Sequence, residues 1–235
     1  MLSTLVIARF SFNFSKCSFL KTSILYLGYV IQNEDVRPNP GKVHALSSLP
    51  SPTTVTQLRQ FIGLASYFRK FIPKFSQLLK PLYALTSGSK NITWADRHEK
   101  IRQEVISVLT DAPVLMLFDP NYPIELHTDV SSEGFGVILM HKVEGKNRVV
   151  EYYSKRTRYH SYELETLAVV NAIKHFRHYL HGREFLVVTD CNSLKASSSK
   201  VHLNDRVHRG WAYLQTFTIN IVYREDKRMA HVDFF

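Results

Sequence analysis

From residue 124 to 223 the apolar pattern changes period several times, and that order most restricts the fold. Strand patterns occupy 124–130, 134–141 and 148–154, the last two joined by the turn-like VEGKN. A helix of roughly 162–181 follows, then the apolar run EFLVVTD, a helix within about 204–217, the strand TINIVYR and a last segment MAHVDFF. Strands joined by tight turns pair antiparallel, whereas a strand, helix and returning strand form a right-handed parallel crossover. The order predicts an α/β protein with a mixed sheet, in which FLVVTD lies beside one of the first three strands. The sequence leaves open which one.

Upstream, SKCSFLKTSILYLGYVIQNEDVRPNPGKV reads as a strand or hairpin that ends in a turn near 37–41. In PSPTTVTQLRQFIGLASYFRKFIPKF, Leu58, Phe61, Ile62, Ala65 and Phe68 fall at helical spacing. Thr54 and Gln57 are placed as a capping box, with Pro73 as a stop. Shorter helices are expected over about 76–86 and 94–110. DAPVLMLFDPNYP, with three prolines around an apolar run, marks the passage into a second domain.

The charge balance narrows the partners. Thirty Lys and Arg against 20 Asp and Glu give a formal net charge of +10, which points to a polyanion such as nucleic acid. Residues 1–120 hold 14 basic and 7 acidic side chains and residues 121–235 hold 16 and 13, so carboxylate chemistry belongs in the second half. Cys17 and Cys191 are far apart and lack Cys or His partners at zinc spacing, which argues against a disulfide framework or structural zinc and for a reducing, cytoplasmic setting. Arg9 interrupts the apolar opening MLSTLVIARFSFNF, and no run reaches the ~18 residues of a membrane span, so this segment is read as folded protein.

Thr128-Asp129 and Thr189-Asp190 repeat one dipeptide at the ends of two strands. Either aspartate alone is equally a turn former. On neighbouring parallel strands the two carboxylates would emerge at one sheet edge, where open α/β sheets place their sites. Glu165 stands in the middle of an apolar helix stripe formed by Val169, Ala172, Phe176 and Tyr179, whereas Glu163 falls on the opposite, polar side. A charge on a buried face needs a partner. Glu165 therefore either pairs with a buried Arg or faces the two aspartates.

Were the three acids to converge, two like charges about 4 Å apart would repel by about 4 kcal/mol at an effective dielectric near 20, so the cluster must take up protons or cations. All-oxygen ligation suits Mg²⁺ or Mn²⁺, and two such ions clamp both oxygens of an in-line phosphodiester displacement. A basic chain with such a pocket has the requirements of a nuclease. Asp233, by spacing alone, is equally a helix N-terminal acid. Arg69, Lys70 and Lys74 at the end of the first long helix are either nucleic-acid contacts or a solvated helix end.

TDVSSEGFGVILM, YYSKRTRYHSYELETLAVVNAIKHFRHYLHGREFLVVTD, LQTFTINIVYRED and MAHVDFF together resemble the ribonuclease H domain of Ty3/gypsy-type long-terminal-repeat retrotransposon polyproteins. SKCSFLKTSILYLGYVIQNEDVRPNPGKV and LRQFIGLASYFRKFIPKFSQLLKPLYALT resemble the end of the reverse transcriptase palm and the thumb or connection helices of the same polyproteins. The resemblance implies a ribonuclease H fold over 121–235, preceded by a palm hairpin over 1–45 and thumb/connection helices over 46–120. It also implies that the strands ending at Asp129 and Asp190 pair in parallel. It further implies that Asp129, Glu165, Asp190 and Asp233 hold two Mg²⁺ or Mn²⁺ ions that activate water to cut the RNA strand of an RNA–DNA hybrid. Tyr26, Leu27 and Gly28, in YLGY, match the stretch that grips the primer end. The family's polymerase Tyr-x-Asp-Asp strand would lie upstream of Met1, so DNA synthesis is not expected of this chain alone, and the ribonuclease H domain is read as truncated after Asp233. The rest of the polyprotein and template-primer are the implied partners, in a cytoplasmic particle or the nucleus. A hybrid-binding relic that no longer cuts is the competing reading.

Overall fold

The computed structural model describes residues 11, 13, 16–87, 91–111, 114–157, 161–190 and 205–224, without the side chains of 161–163, 205 and 206. Asp233, Cys191 and the side chain of Glu163 lie outside the described set. Near the start, β1 (Ser23–Tyr26), β2 (Tyr29–Gln32) and β3 (Asp35–Pro38) form an antiparallel meander. Leu27 and Gly28 alone connect β1 to β2, with φ of 45° and 72°, the paired positive values of a hairpin turn whose twist matches its strands. β4 (Leu115–Met116) pairs antiparallel with β3, Asp35 opposite Met116. The proline-flanked run thus returns to the first sheet before the chain enters the second.

Among the described residues, five α-helices lie between β3 and β4. Where a turn is expected at 37–41, α1 (Pro40–Ser47) begins instead. Asn39 Oδ1 accepts the Gly41 N–H at 2.9 Å, and Pro40 takes the first helical position, where its missing N–H would be unpaired anyway. The expected capping box opens α2 (Val55–Tyr67): Thr54 Oγ1 accepts from the Gln57 N–H and Gln57 Oε1 from the Thr54 N–H, both at 3.3 Å. A 3-10 turn, Arg69–Phe71, then carries Phe71 into the core, followed by α3 (Phe75–Leu78), α4 (Lys80–Leu85) and α5 (Asp96–Thr110).

The second sheet holds β5 (Ile124–Ser131), β6 (Gly134–Val143), β7 (Lys146–Arg156), β8 (Glu184–Thr189) and β9 (Thr218–Tyr223), in the order β7-β6-β5-β8-β9. β5 to β7 are antiparallel, while β8 runs parallel to both β5 and β9. α6 (Ser161–His175) and α7 (Arg177–Leu180) lead to β8, and α8 (Asp205–Leu214) leads to β9. The mixed α/β class is the expected one.

Strand alternation divides this sheet between two cores. Leu126, Phe135, Val137, Leu139 and Val187 pack with Leu164, Ala168, Val169, Ala172 and Phe176 on the helical side. Ile138, Met140, Tyr152 and Val188 point the other way, into one cluster with Leu58, Phe61, Phe71, Leu79 and Leu82 of the upstream helices. Both faces are therefore covered, and the upstream helices dock directly on the second sheet. On that docked face the buried Glu125 and His127 pair with each other at 2.8 Å.

Candidate metal and nucleic-acid site

β5 and β8 meet in parallel register up to Thr128 opposite Thr189. The next residue in each case is an aspartate, so Asp129, within β5, and Asp190, just past β8, stand side by side where the β5–β8 pairing ends. The Arg224 N–H donates to the Thr189 carbonyl at 3.0 Å and holds that edge on its other side. Asp129 pairs across to Gly136 on β6. Alternation sets it on the side of Gly136 and Ile138, away from Leu126 and Val130.

Glu165 lies in the N-terminal part of α6, on the stripe whose Val169, Ala172 and Phe176 are fully buried. Glu165 Oε2 and Asp190 Oδ1 are both shielded from solvent. α6 covers the face of the sheet opposite to that of Asp129. Among the described residues, no three or more His, Cys, Asp or Glu side chains are grouped so as to hold a metal ion.

The cation at Asp129 comes from the chain itself: Lys74 Nζ lies 2.9 Å from Asp129 Oδ2. Two further cations named from sequence are also engaged internally. Arg69 donates to the Ser154 carbonyl at 3.1 Å and lies over the Tyr153 and Phe75 rings. Lys70 Nζ sits 3.8 Å above the Tyr29 ring, and burial pushes its pKa down while Glu151 partly opposes this. Ser154, which has no signal in the sequence, takes up Arg69 and Ser76. Its hydroxyl accepts the Ser76 N–H at 2.9 Å, and its carbonyl accepts the Ser76 hydroxyl at 2.8 Å. Partners 78 positions apart leave no local pattern by which to find them.

The β1–β2 tip is exposed at Tyr26 and Leu27 but anchored from below. Tyr67 donates to the Leu27 carbonyl, stacks on Tyr29 at 5.4 Å and carries Lys42 Nζ 4.3 Å above its ring. A Cβ at Gly28 would meet Tyr67 Oη at 2.4 Å, so the close approach and the positive φ both require glycine. Tyr26, Leu27 and Gly28 thus form a braced, partly apolar prominence far along the chain from the carboxylate edge.

Residues 94–187 match the family described as the RNase H-like domain found in reverse transcriptase. Over 99% of its length the chain is 28% identical to the retrovirus-related Pol polyprotein from transposon opus of Drosophila melanogaster, covering 25% of that protein. It is 31% identical over 92% of its length to the transposon Tf2-3 polyprotein of Schizosaccharomyces pombe, covering 17% of it. The chain thus spans a quarter or less of these relatives. Among solved structures, it superposes on the foamy viral protease-reverse transcriptase dRH in complex with double-stranded DNA with a TM-score of 0.76 and 22% identity, over 94% of this chain and 41% of that one. The foamy viral enzyme in complex with RNA/DNA hybrid gives 0.75 and 21%, over 90% and 30%. No helix among the described residues is long and apolar enough to cross a membrane.

Proposed function

We propose that the chain carries the RNase H-like domain of a Ty3/gypsy-type retroelement Pol polyprotein and that it catalyses metal-dependent hydrolysis of the RNA strand of RNA–DNA hybrids. The observation that carries this reading is the Thr128–Thr189 register, which sets Asp129 and Asp190 side by side at one sheet edge. The donor chemistry fits a hard divalent cation: Asp129, Glu165 and Asp190 all offer carboxylate oxygen, and Glu165 and Asp190 each bury one of theirs. Asp129 and Asp190 would hold Mg²⁺ or Mn²⁺ with Glu165 beside them, and Asp233 joins the set on resemblance alone. When bound, such ions lower the pKa of a water and offset charge on the phosphate.

The chain's own residues prepare that edge. Adjacent strands fix the spacing of Asp129 and Asp190 without reliance on a loop, and α6 brings Glu165 in on a buried, rigid stripe. The formal net charge of +10 draws the polyanionic hybrid to a protein whose cutting edge is itself acidic. We divide the chain functionally as the sequence suggests, with 121–235 as the nuclease and 1–120 as the palm hairpin and thumb/connection that position template-primer within the larger polyprotein.

Incubation with labelled RNA–DNA hybrid and Mg²⁺ or Mn²⁺ tests the proposal. RNA-strand fragments from the wild type and none from Asp129→Asn are expected. Folded wild-type protein that leaves the hybrid intact, or unchanged cutting by Asp129→Asn, would overturn it. The second reading, a hybrid-binding module that does not cut, is favoured by the Lys74–Asp129 pair, which already neutralises one acid. Salt-sensitive hybrid binding without turnover is its signature.

A further inference from the structure

The ammonium on Asp129 belongs to the docking segment, not to the second sheet. Lys74 sits between the 3-10 turn and α3, with φ of 45° and ψ of 29°, a left-handed conformation uncommon for a residue with a side chain. Its neighbours fix it there. Phe71, Ile72 and Phe75 are buried in the upstream core, and Ser76 bonds twice to Ser154 on β7. The path from Lys74 to Asp129 crosses Gly136, the residue opposite Asp129 on β6. Lys74 Cγ lies 3.6 Å from where a Cβ at Gly136 would stand, so the lysine stem lies against a strand position that carries no side chain. The resulting ion pair, at 2.9 Å, leaves 35% of the Lys74 side chain and 22% of the Asp129 side chain exposed.

We propose that Lys74 is a built-in counter-ion for Asp129 that a divalent cation must displace, so that metal affinity at this edge is set by how segment 69–76 docks on β7. The proposal rests on the reading of Asp129 as a metal ligand. A monovalent ammonium at the carboxylate opposes a divalent ion in two ways: it occupies an acceptor oxygen, and it repels the incoming charge at short range. The geometry seats the lysine here, because Ser76, two residues on, is held by Ser154 and the lysine stem lies against the floor at Gly136. Displacement therefore swings the ammonium into solvent and loosens the contact between α3 and β7. Metal loading and docking become reciprocally coupled, since whatever weakens one pairing must favour the other.

The test is Mn²⁺ binding to the full chain, followed by electron paramagnetic resonance of free Mn²⁺ at fixed ionic strength. Lys74→Met keeps the stem without the charge and should bind Mn²⁺ on the order of five- to tenfold more tightly than wild type. Lys74→Arg keeps the charge and should stay close to wild type. Asp129→Asn should bind weakly, and adding Lys74→Met to it should bring no gain. Equal affinity in wild type and Lys74→Met, with binding still lost in Asp129→Asn, overturns the counter-ion while the metal site stands. Absence of Mn²⁺ binding in every folded variant overturns the metal reading and the counter-ion with it. Circular dichroism on each variant confirms the fold, and an increase in amide exchange at Ser76 on adding Mn²⁺ to wild type, absent in Asp129→Asn, reports the coupling directly.

Discussion

Thr128 and Thr189 stand opposite each other in parallel register, and the residue after each is an aspartate: Asp129, still paired with Gly136 on β6, and Asp190, just past the end of β8. Neither threonine is exposed, so the two strands are locked to the last pair before the acids begin. This fixes the relation of Asp129 to Asp190 more firmly than any loop could.

If the two acids act as one unit, their removal is not additive. Asp190→Asn should reduce hybrid cleavage by at least about a hundredfold, and the double substitution with Asp129→Asn should be hardly worse than either alone. Single-turnover cleavage of labelled hybrid measures both. Multiplied losses would show independent roles.

The docking of the upstream helices can be probed at Ser154. Ser154→Ala removes the acceptor of the Ser76 N–H, which then has no such partner in a half-buried setting. Leaving that donor unsatisfied should cost about 1–2 kcal/mol, read as a lower urea midpoint at unchanged slope. The contacts to the Ser154 carbonyl from Arg69 and Ser76 should persist.

At the hairpin tip, Gly28→Ala combines a strained φ of 72° with a Cβ placed 2.4 Å from Tyr67 Oη and 2.9 Å from Lys42 Nζ. A cost of roughly 1–3 kcal/mol is expected, with displacement of Tyr67 seen as a change in near-ultraviolet circular dichroism. If the tip grips nucleic acid as the resemblance implies, hybrid affinity should fall as well.

Tyr29 gives a pH signature. Burial, then the nearby Tyr67 and a hydrogen bond with it, and finally Glu151, push its phenol from the ordinary 10.0 up to about 12. A folded pKa above the unfolded one means that folding favours the protonated phenol. Its contribution is complete below pH 10 and is lost as the pH rises from there through about 12. Denaturation midpoints across this window should fall more steeply for wild type than for Tyr29→Phe. Equal slopes would refute the assignment.

Much of the second sheet was legible because its strands follow their period closely. The three antiparallel strands, the helix that buries Val169, Ala172 and Phe176, and the apolar run ending at Thr189 all occur where the alternation predicts them. The capping box at Thr54 and Gln57 was equally legible, since both partners lie within one turn. Helix α1 was hidden behind a proline that reads as a breaker from sequence but serves as the first helical residue once Asn39 caps it. The pairing of Leu115–Met116 with β3 was hidden by distance along the chain.

What the sequence by itself determined is the inventory: which runs become strands or helices, and which acids stand at their ends, because period and capping act over a few residues. Tertiary structure alone decided the company each residue keeps. It chose β5 as the parallel neighbour of β8, laid the upstream helices against the sheet, and turned Arg69, Lys70 and Lys74 inward to Ser154, Tyr29 and Asp129. A cation in a sequence carries only its charge. Whether that charge faces solvent or a carboxylate depends on packing between segments more than fifty residues apart, where no local pattern reaches.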